Sequence, residues 1–247
     1  PDLGPGTPVN PAIIYRIVTD KWLSKNIVEE RTILDKWDKL FFMMELAWEM
    51  LGSPERLQLK IHYTELPDRI RRHFGERIGK LTKLEHLDFD LRTQSFLASD
   101  SVGNYEFALR SLAEYFVALK LAIELGAIQP EYIADVPKHK LPLAKTMEQS
   151  LHTFGSAPLT PEVAEFLRHL LTKPEHLWAL IEWTREKPFD ETRYLGGNAA
   201  TLLKLMGETF QEKDLSQTVL AGADLSSADL RRANLDGTDL RSCLRSQ

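Results

Sequence analysis

The chain of 247 residues holds one cysteine, Cys243, so no internal disulfide can form and sites built on paired cysteines are excluded. No apolar run reaches membrane-spanning length, and no signal-peptide pattern opens the sequence. With so little cysteine, the cytoplasm is the expected compartment and a membrane partner is not expected. Lys and Arg number 31 against 36 Asp and Glu, a net charge of −5, which argues against a dominant nucleic-acid role. Catalytic signatures are equally sparse. G-E-R-I-G-K-L-T (75 to 82) is one residue short of a phosphate-binding loop and carries leucine where a hydroxyl should follow the lysine, so it reads as a helix end and turn. G-x-S-x-G is absent, and the histidines at 62, 73, 86, 139, 152, 169 and 176 form no H-E-x-x-H. Glu165 and His169 fall one helical turn apart, the spacing of a solvated i,i+4 pair rather than of a metal site. No catalytic, metal or cofactor residue is assigned in this chain.

What is present is a period of five. Phe210, Leu215, Leu220, Leu225, Leu230, Leu235 and Leu240 follow one another at that interval. On an α-helix five residues overshoot a full turn by about 140° and would scatter these side chains around the axis; on a strand they would alternate faces. Two positions before each leucine the residue is usually small: Thr218, Ala223, Ala228, Ala233 and Thr238, with Lys213 the exception. One bulky and one small residue per unit suit a narrow shaft with both pointing inward. Cys243 keeps the small-residue register and so reads as structural, while Arg245 stands where the next leucine belongs; the repeat either ends raggedly there or was cut. Ser226, Ser227, Arg231 and Arg232 take outward positions, where solvation is the default. Fewer than two coils cannot bury both faces, so a cap is expected. The candidate is Gly196-Gly197-Asn198 and the stretch after it, the two glycines reading as a break, with Asn198 as N-cap and Leu202, Leu203, Leu205 and Met206 as the apolar face.

Upstream, helical periodicity predicts Ala12 to Lys25, Lys36 to Leu51 stopped by Gly52, and a more polar helix from Leu66 to Ile78. S-F-L-A-S (95 to 99) and Y-E-F-A-L (105 to 109) flank D-S-V-G-N as a hairpin. An apolar helix follows from Ser111 to Leu125, stopped at Gly126. The segment from Gln129 to Pro161 reads as a connector packed on the surface, and Pro161 to Leu171 and Pro174 to Lys187 read as shorter helices. Phe107, Leu112, Tyr115 and Phe116 have the spacing of core residues in any fold. Glu114 in an apolar helix needs a partner, for which Arg92 and Arg110 are candidates. The opening P-D-L-G-P-G-T-P-V-N-P reads as a linker entered within a longer protein.

The tracts A-D-L-S-S (223 to 227), A-D-L-R-R (228 to 232) and A-N-L-D-G (233 to 237) resemble pentapeptide repeats, which implies a right-handed quadrilateral β-helix with four pentapeptides to a coil. F-A-L-R-S-L-A-E-Y-F-V-A (107 to 118) resembles the winged-helix domain that follows the nucleotide-binding core of NACHT-type STAND NTPases: Phe107, Ser111, Glu114, Tyr115, Phe116 and Ala118 match, and Leu109 replaces a histidine that in the family contacts the nucleotide phosphates. Y-R-I-V-T-D-K-W-L (15 to 23), L-A-W-E-M-L (46 to 51) and R-T-Q-S-F-L (92 to 97) are similar to the neighbouring helices and wing, and L-G-G-N-A-A-T-L-L (195 to 203) to the junction with pentapeptide repeats.

The expected fold is therefore mainly α with a winged-helix-like domain, followed by a short β-helix. Its parts are a helical and winged-helix-like region (1 to 125), a connector and helical hairpin (126 to 195), and a capping helix with repeats (196 to 247). The resemblance implies a regulatory and protein-interaction segment of a NACHT NTPase switch, of the kind acting in antiphage defence, with ATP or ADP held by an adjoining NTPase domain. The alternative is a pentapeptide-repeat protein that mimics DNA to bind a topoisomerase. That needs a long acidic rod, and the segment from Gly207 onward is short and nearly balanced in charge. An enzyme subunit whose site forms across an interface has no residue support.

Overall fold

A computed structural model describes residues 9–25, 35–52, 59–74 and 96–244. The chain is mainly helical and divides into two compact units, one of residues 1–120 with 134–141, the other of residues 121–133 with 142–247. The boundary expected near residue 125 falls at the last turn of a helix, and residues 134–141 join the first unit.

In the first unit, helix α1 (Pro11–Lys25) starts on a proline, whose missing N–H costs nothing there, and Asn10 Oδ1 accepts the Ile13 N–H at 2.9 Å. Helix α2 (Lys36–Ala47) is capped by Asp35, which accepts from the N–H groups of Trp37 and Asp38, and it buries Leu40, Phe42, Met43, Met44 and Leu46. Beyond Ala47 the predicted helix loosens into a π-turn, Trp48–Gly52. A Cβ at residue 52 would lie 2.0 Å from the Trp48 ring, so any larger residue would have to displace that ring. Helix α3 (Leu66–Phe74) is described to Phe74, and the rest of that predicted helix, the tract 75 to 82, His86 and residues 92 to 95 lie outside the described residues.

Strands β2 (Leu97–Ser99) and β3 (Asn104–Phe107) form the expected hairpin. A two-residue strand that alternation could not announce, β1 (Ile61–His62), pairs with the other edge of β3, giving the antiparallel order β1-β3-β2. The hairpin turn is organised by Asp100. Its carboxylate accepts from Asn104 Nδ2, from the N–H groups of Asn104 and Val102, and from Lys60, bonds that hold its pKa well below the usual carboxylate range.

Helix α4 (Arg110–Glu124) follows, nearly all buried. Phe116 packs against Phe96, Phe107 and Tyr115 at centroid distances of 5.6, 5.9 and 5.7 Å, so those motif residues are core. Glu114 pairs with Arg110 at 3.0 Å, the Tyr15 hydroxyl meets the Ser111 hydroxyl at 2.6 Å, and buried Lys120 is neutralised by Glu45. Leu109, just before α4, is exposed.

In the second unit Gly126 ends α4 at φ +67°. The connector carries a short helix, α5 (Met147–Ser150), capped reciprocally by Thr146 and Gln149. Tyr132 and Phe154 are buried, so parts of it enter the core rather than lie over it. Then come α6 (Pro161–Leu170), α7 (Pro174–Trp183), a short α8 (Phe189–Thr192) and α9 (Leu195–Leu205), with the repeats last. Glu165 and His169 stand 3.3 Å apart beside Arg168, and no metal-binding cluster occurs among the described residues.

Candidate functional site

The repeats are built from one turn used seven times. The N–H of residues 213, 218, 223, 228, 233, 238 and 243 donates to the carbonyl three residues earlier, on Phe210 or the successive leucines, at 3.0 to 3.3 Å. The third residue of each turn is left-handed: Glu212, Gln217, Gly222, Ser227, Arg232, Gly237 and Ser242, with φ between 56° and 73°. A positive φ at that place is the mark of a type II turn. Immediately before five of the leucines, Asp214, Asp224, Asp229, Asn234 and Asp239 each accept the N–H two residues on, fixing the turn's entry. The period of five is thus a turn and a short extended step.

Successive coils meet through parallel bridges, Asp214 to Asn234, Val219 to Asp239 and Asp224 to Leu244. Each spans twenty residues, four pentapeptides. The bridges are isolated rather than joined into long strands, because every fifth residue turns away. Between them Leu215 N–H donates to Asn234 C=O, and Asp239 N–H to Thr218 C=O, both at 2.9 Å.

The first coil has no coil before it, and α7 and α9 with the loop between them supply the missing partners. Thr184 Oγ1 accepts the Val219 N–H at 3.0 Å while donating to Ile181 C=O; Thr201 Oγ1 accepts the Asp224 N–H at 3.0 Å while donating to Gly197 C=O. The Arg185 guanidinium donates to the carbonyls of Ser216 and Asp214, and Glu186 N–H to Gln217 C=O at 2.8 Å. Trp178 meets Phe210 edge-on at 5.2 Å, and Lys204 pairs with Asp224 at 2.5 Å beside Ser226. Ser226 is therefore half-buried and bonded rather than freely solvated. Nothing in the sequence marked Thr184, just past the end of α7, or Thr201, inside α9, since a threonine in or beside a helix has no pattern of its own.

Two expectations about this region are corrected. Gly196 and Gly197 do not break the chain; they lie in the first turn of α9, where a Cβ would come within 2.2 Å of Val219 O and 1.9 Å of Ala221 O. Glycine is there for the close approach of two backbones. Asn198 is not the N-cap, a position Tyr194 holds. Asn198 is buried inside the helix and ties down the chain before α6, donating to Phe154 C=O and Ala157 C=O at 2.5 and 2.8 Å and accepting the Leu159 N–H at 2.9 Å. Leu202 and Leu203 are fully buried, Leu205 and Met206 only half.

Burial along the shaft is uneven. Phe210, Leu215, Leu220 and Leu225 are between 0% and 5% exposed, but Leu230, Leu235 and Leu240 are half-buried. Arg231, Arg232 and Ser227 face outward. Cys243 points its thiol at Leu220 C=O, 3.0 Å away, in the small-residue place. Ion pairs decorate the outside: Asp229 with Arg231, Asp239 with Arg241, and Glu212 with Arg232 across the two coils.

Two clefts accompany these features. One of about 180 Å³ in the first unit is lined by Met50, Leu51, Leu59, Phe107 and Ala113. The other, about 350 Å³, lies between Lys187 and Phe189 on one side and Gln217, Asp239 and Arg241 on the other, where Arg241 stacks over the Phe189 ring at 4.6 Å.

No solved structure matches the chain. An uncharacterized WD repeat-containing protein of Nostoc sp. (strain PCC 7120) is 33% identical over 261 aligned residues, which cover 90% of this chain and 17% of that relative's length. Residues 210–244 match the family of pentapeptide repeats, in eight copies.

Proposed function

We propose that this chain is the regulatory, protein-binding segment of a NACHT-type STAND NTPase, acting in the cytoplasm as a switch in bacterial antiphage defence or signalling. The observation that carries the reading is the order of its parts. A helix, a short strand and a second helix precede a hairpin whose inner strand pairs with that first strand, and the motif residues Phe107 to Ala118 run from the hairpin into α4. This supports a winged-helix domain. After it comes a repeat segment docked through α9, the helix that carries L-G-G-N-A-A-T-L-L. The relative is a far longer protein named as WD repeat-containing, and this chain matches 17% of its length, which fits a segment lying within a multi-part chain.

On this reading the repeats form a right-handed quadrilateral β-helix whose outer face, or whatever follows it, meets a protein trigger. Strain at that face passes to α7 and α9 through the hydroxyls of Thr184 and Thr201 and the guanidinium of Arg185. ATP or ADP would sit in an adjoining NTPase domain. Mimicry of DNA for a topoisomerase is disfavoured by the arginines that pair with the outward carboxylates of Asp229, Asp239 and Glu212.

Calorimetry tests the assignment. This chain alone should bind neither ATP nor ADP, while the protein encoded by its full reading frame should bind one of them and carry a phosphate-binding loop. Micromolar nucleotide affinity in this chain, or a full frame lacking such a loop, would overturn it.

A further inference from the structure

Beneath the turn that follows α7, the flank of the repeats holds the cleft of about 350 Å³, lined largely by charged and amide side chains. Its two walls meet through one main-chain bond, Glu186 N–H to Gln217 C=O at 2.8 Å, and both of these residues are left-handed, with φ of 58° and 59°. That conformation favours glycine, and holding a side chain in it costs stability. At the preceding corner Glu212 and Arg232 are left-handed too, and there the side chains pair with each other. The Glu186 carboxylate and the Gln217 amide are exposed and make no hydrogen bond or ion pair among the described residues. Lys187 is in the same condition: its ammonium rests on the Trp183 ring at 3.3 Å, with no carboxylate at ion-pair distance among the described residues. Asp239 and Arg241, by contrast, are engaged with each other and with the Phe189 ring, so they form a fixed far wall. Gly237 keeps the floor clear, since a Cβ there would lie 2.8 Å from Gln217 Nε2.

We propose that this cleft binds a peptide segment of a partner protein. The primary amide of Gln217 offers N–H donors and a C=O acceptor, the complement of a peptide unit. Glu186 and Lys187 add one unpaired charge of each sign, suited to a segment that carries a basic and an acidic residue. Those two charges sum to zero, so a polyanion such as nucleic acid gains no net attraction there. The volume falls within the range of about 300 to 1,000 Å³ typical of ligand sites, room for a short stretch of chain and not for a folded domain. Two polar side chains held in a conformation that suits glycine, both unbonded and both facing one cleft, thereby acquire a use. Only the protein nature of the partner is taken from the preceding reading, and nucleotide calorimetry does not touch this cleft, so the two fail separately.

Panning short random peptides displayed on phage against the chain, then titrating synthetic copies of the enriched sequences by fluorescence anisotropy, tests it. Peptides carrying both a basic and an acidic residue should be enriched. Gln217→Gly and Glu186→Gly each remove a side chain while relieving its left-handed backbone, so both should melt no lower than the parent. Each should nevertheless weaken peptide binding about tenfold or more. Arg231→Ala, ten residues and half a coil from Arg241, should leave the affinity unchanged. Should either glycine variant fail to fold, Lys187→Met keeps the stem on the Trp183 ring, removes the charge and should weaken binding in the same way. A library that yields no binding peptide, or enriched peptides that bind the folded variants as tightly as the wild type, would overturn the proposal.

Discussion

The hydroxyl of Thr184 does for Val219 what the carbonyl of Thr218 does for Asp239: each accepts the N–H that opens a rung, at 3.0 and 2.9 Å. A helix has thus replaced a rung of the repeat with a side chain. Thr201 repeats the device five residues on, at Asp224. Because Val219 is buried, its N–H has no water to turn to if the hydroxyl goes. Thr184→Val keeps the shape and removes the acceptor, and should cost about 1 to 3 kcal/mol. Thr184→Ser keeps the hydroxyl and should recover most of that. Urea unfolding of the three proteins decides it, and equal losses for Val and Ser would mean that the methyl group, not the hydrogen bond, matters.

Helix propensity and close packing make opposite predictions at Gly197. In an ordinary helix, glycine to alanine gains up to about 1 kcal/mol. Here the added methyl would lie 1.9 Å from Ala221 O and 3.0 Å from Leu220 O, both main-chain atoms that cannot swing away. Gly197→Ala should therefore destabilise by about 1 to 3 kcal/mol or more, seen as a lower melting temperature. A higher one would mean that α9 does not sit this close to the coil.

Leucines of the same register should differ in worth. Leu220 is fully buried, so Leu220→Ala should cost about 2 to 5 kcal/mol. Leu230 is half-buried, and Leu230→Ala should cost less than half as much. Equal losses in denaturant unfolding would show that the second coil is covered in solution as fully as the first.

The repeat was legible because its period belongs to neither helix nor strand, and a local rule, one left-handed residue per unit, underlies it. The core positions Phe107, Tyr115 and Phe116 were legible for the opposite reason, since large apolar residues at strand or helical spacing have few other meanings. Gly196-Gly197-Asn198 misled because local propensity reads it as a break and a cap. What places it inside a helix is the approach of Val219 and Ala221, twenty and more residues on, which no local window contains. The capping hydroxyls were illegible altogether, and β1 was too short to alternate.

The carboxyl of Asp229 is held down from the ordinary 3.8 to about 2, first by its side-chain bond to Arg231 and then by the Arg231 N–H. The folded state therefore takes up this proton less readily than the unfolded one. The stability it contributes is complete above the unfolded value near 3.8 and is lost as pH falls from there through about 2. Asp229→Asn should separate charge from turn. The neighbouring unit already uses Asn234 to accept the Asp236 N–H at 3.1 Å, so the amide can keep the turn while losing the titration. Near neutral pH the variant should melt close to the parent, as the ion pair is exposed. Between pH 4 and 2 its melting temperature should fall less steeply. Calorimetric melts across that window, beside a direct NMR titration of the Asp229 carboxyl, give the answer: parallel acid slopes, or a midpoint near 3.8, would mean that Arg231 swings free and the rung's outer face is held by its backbone alone.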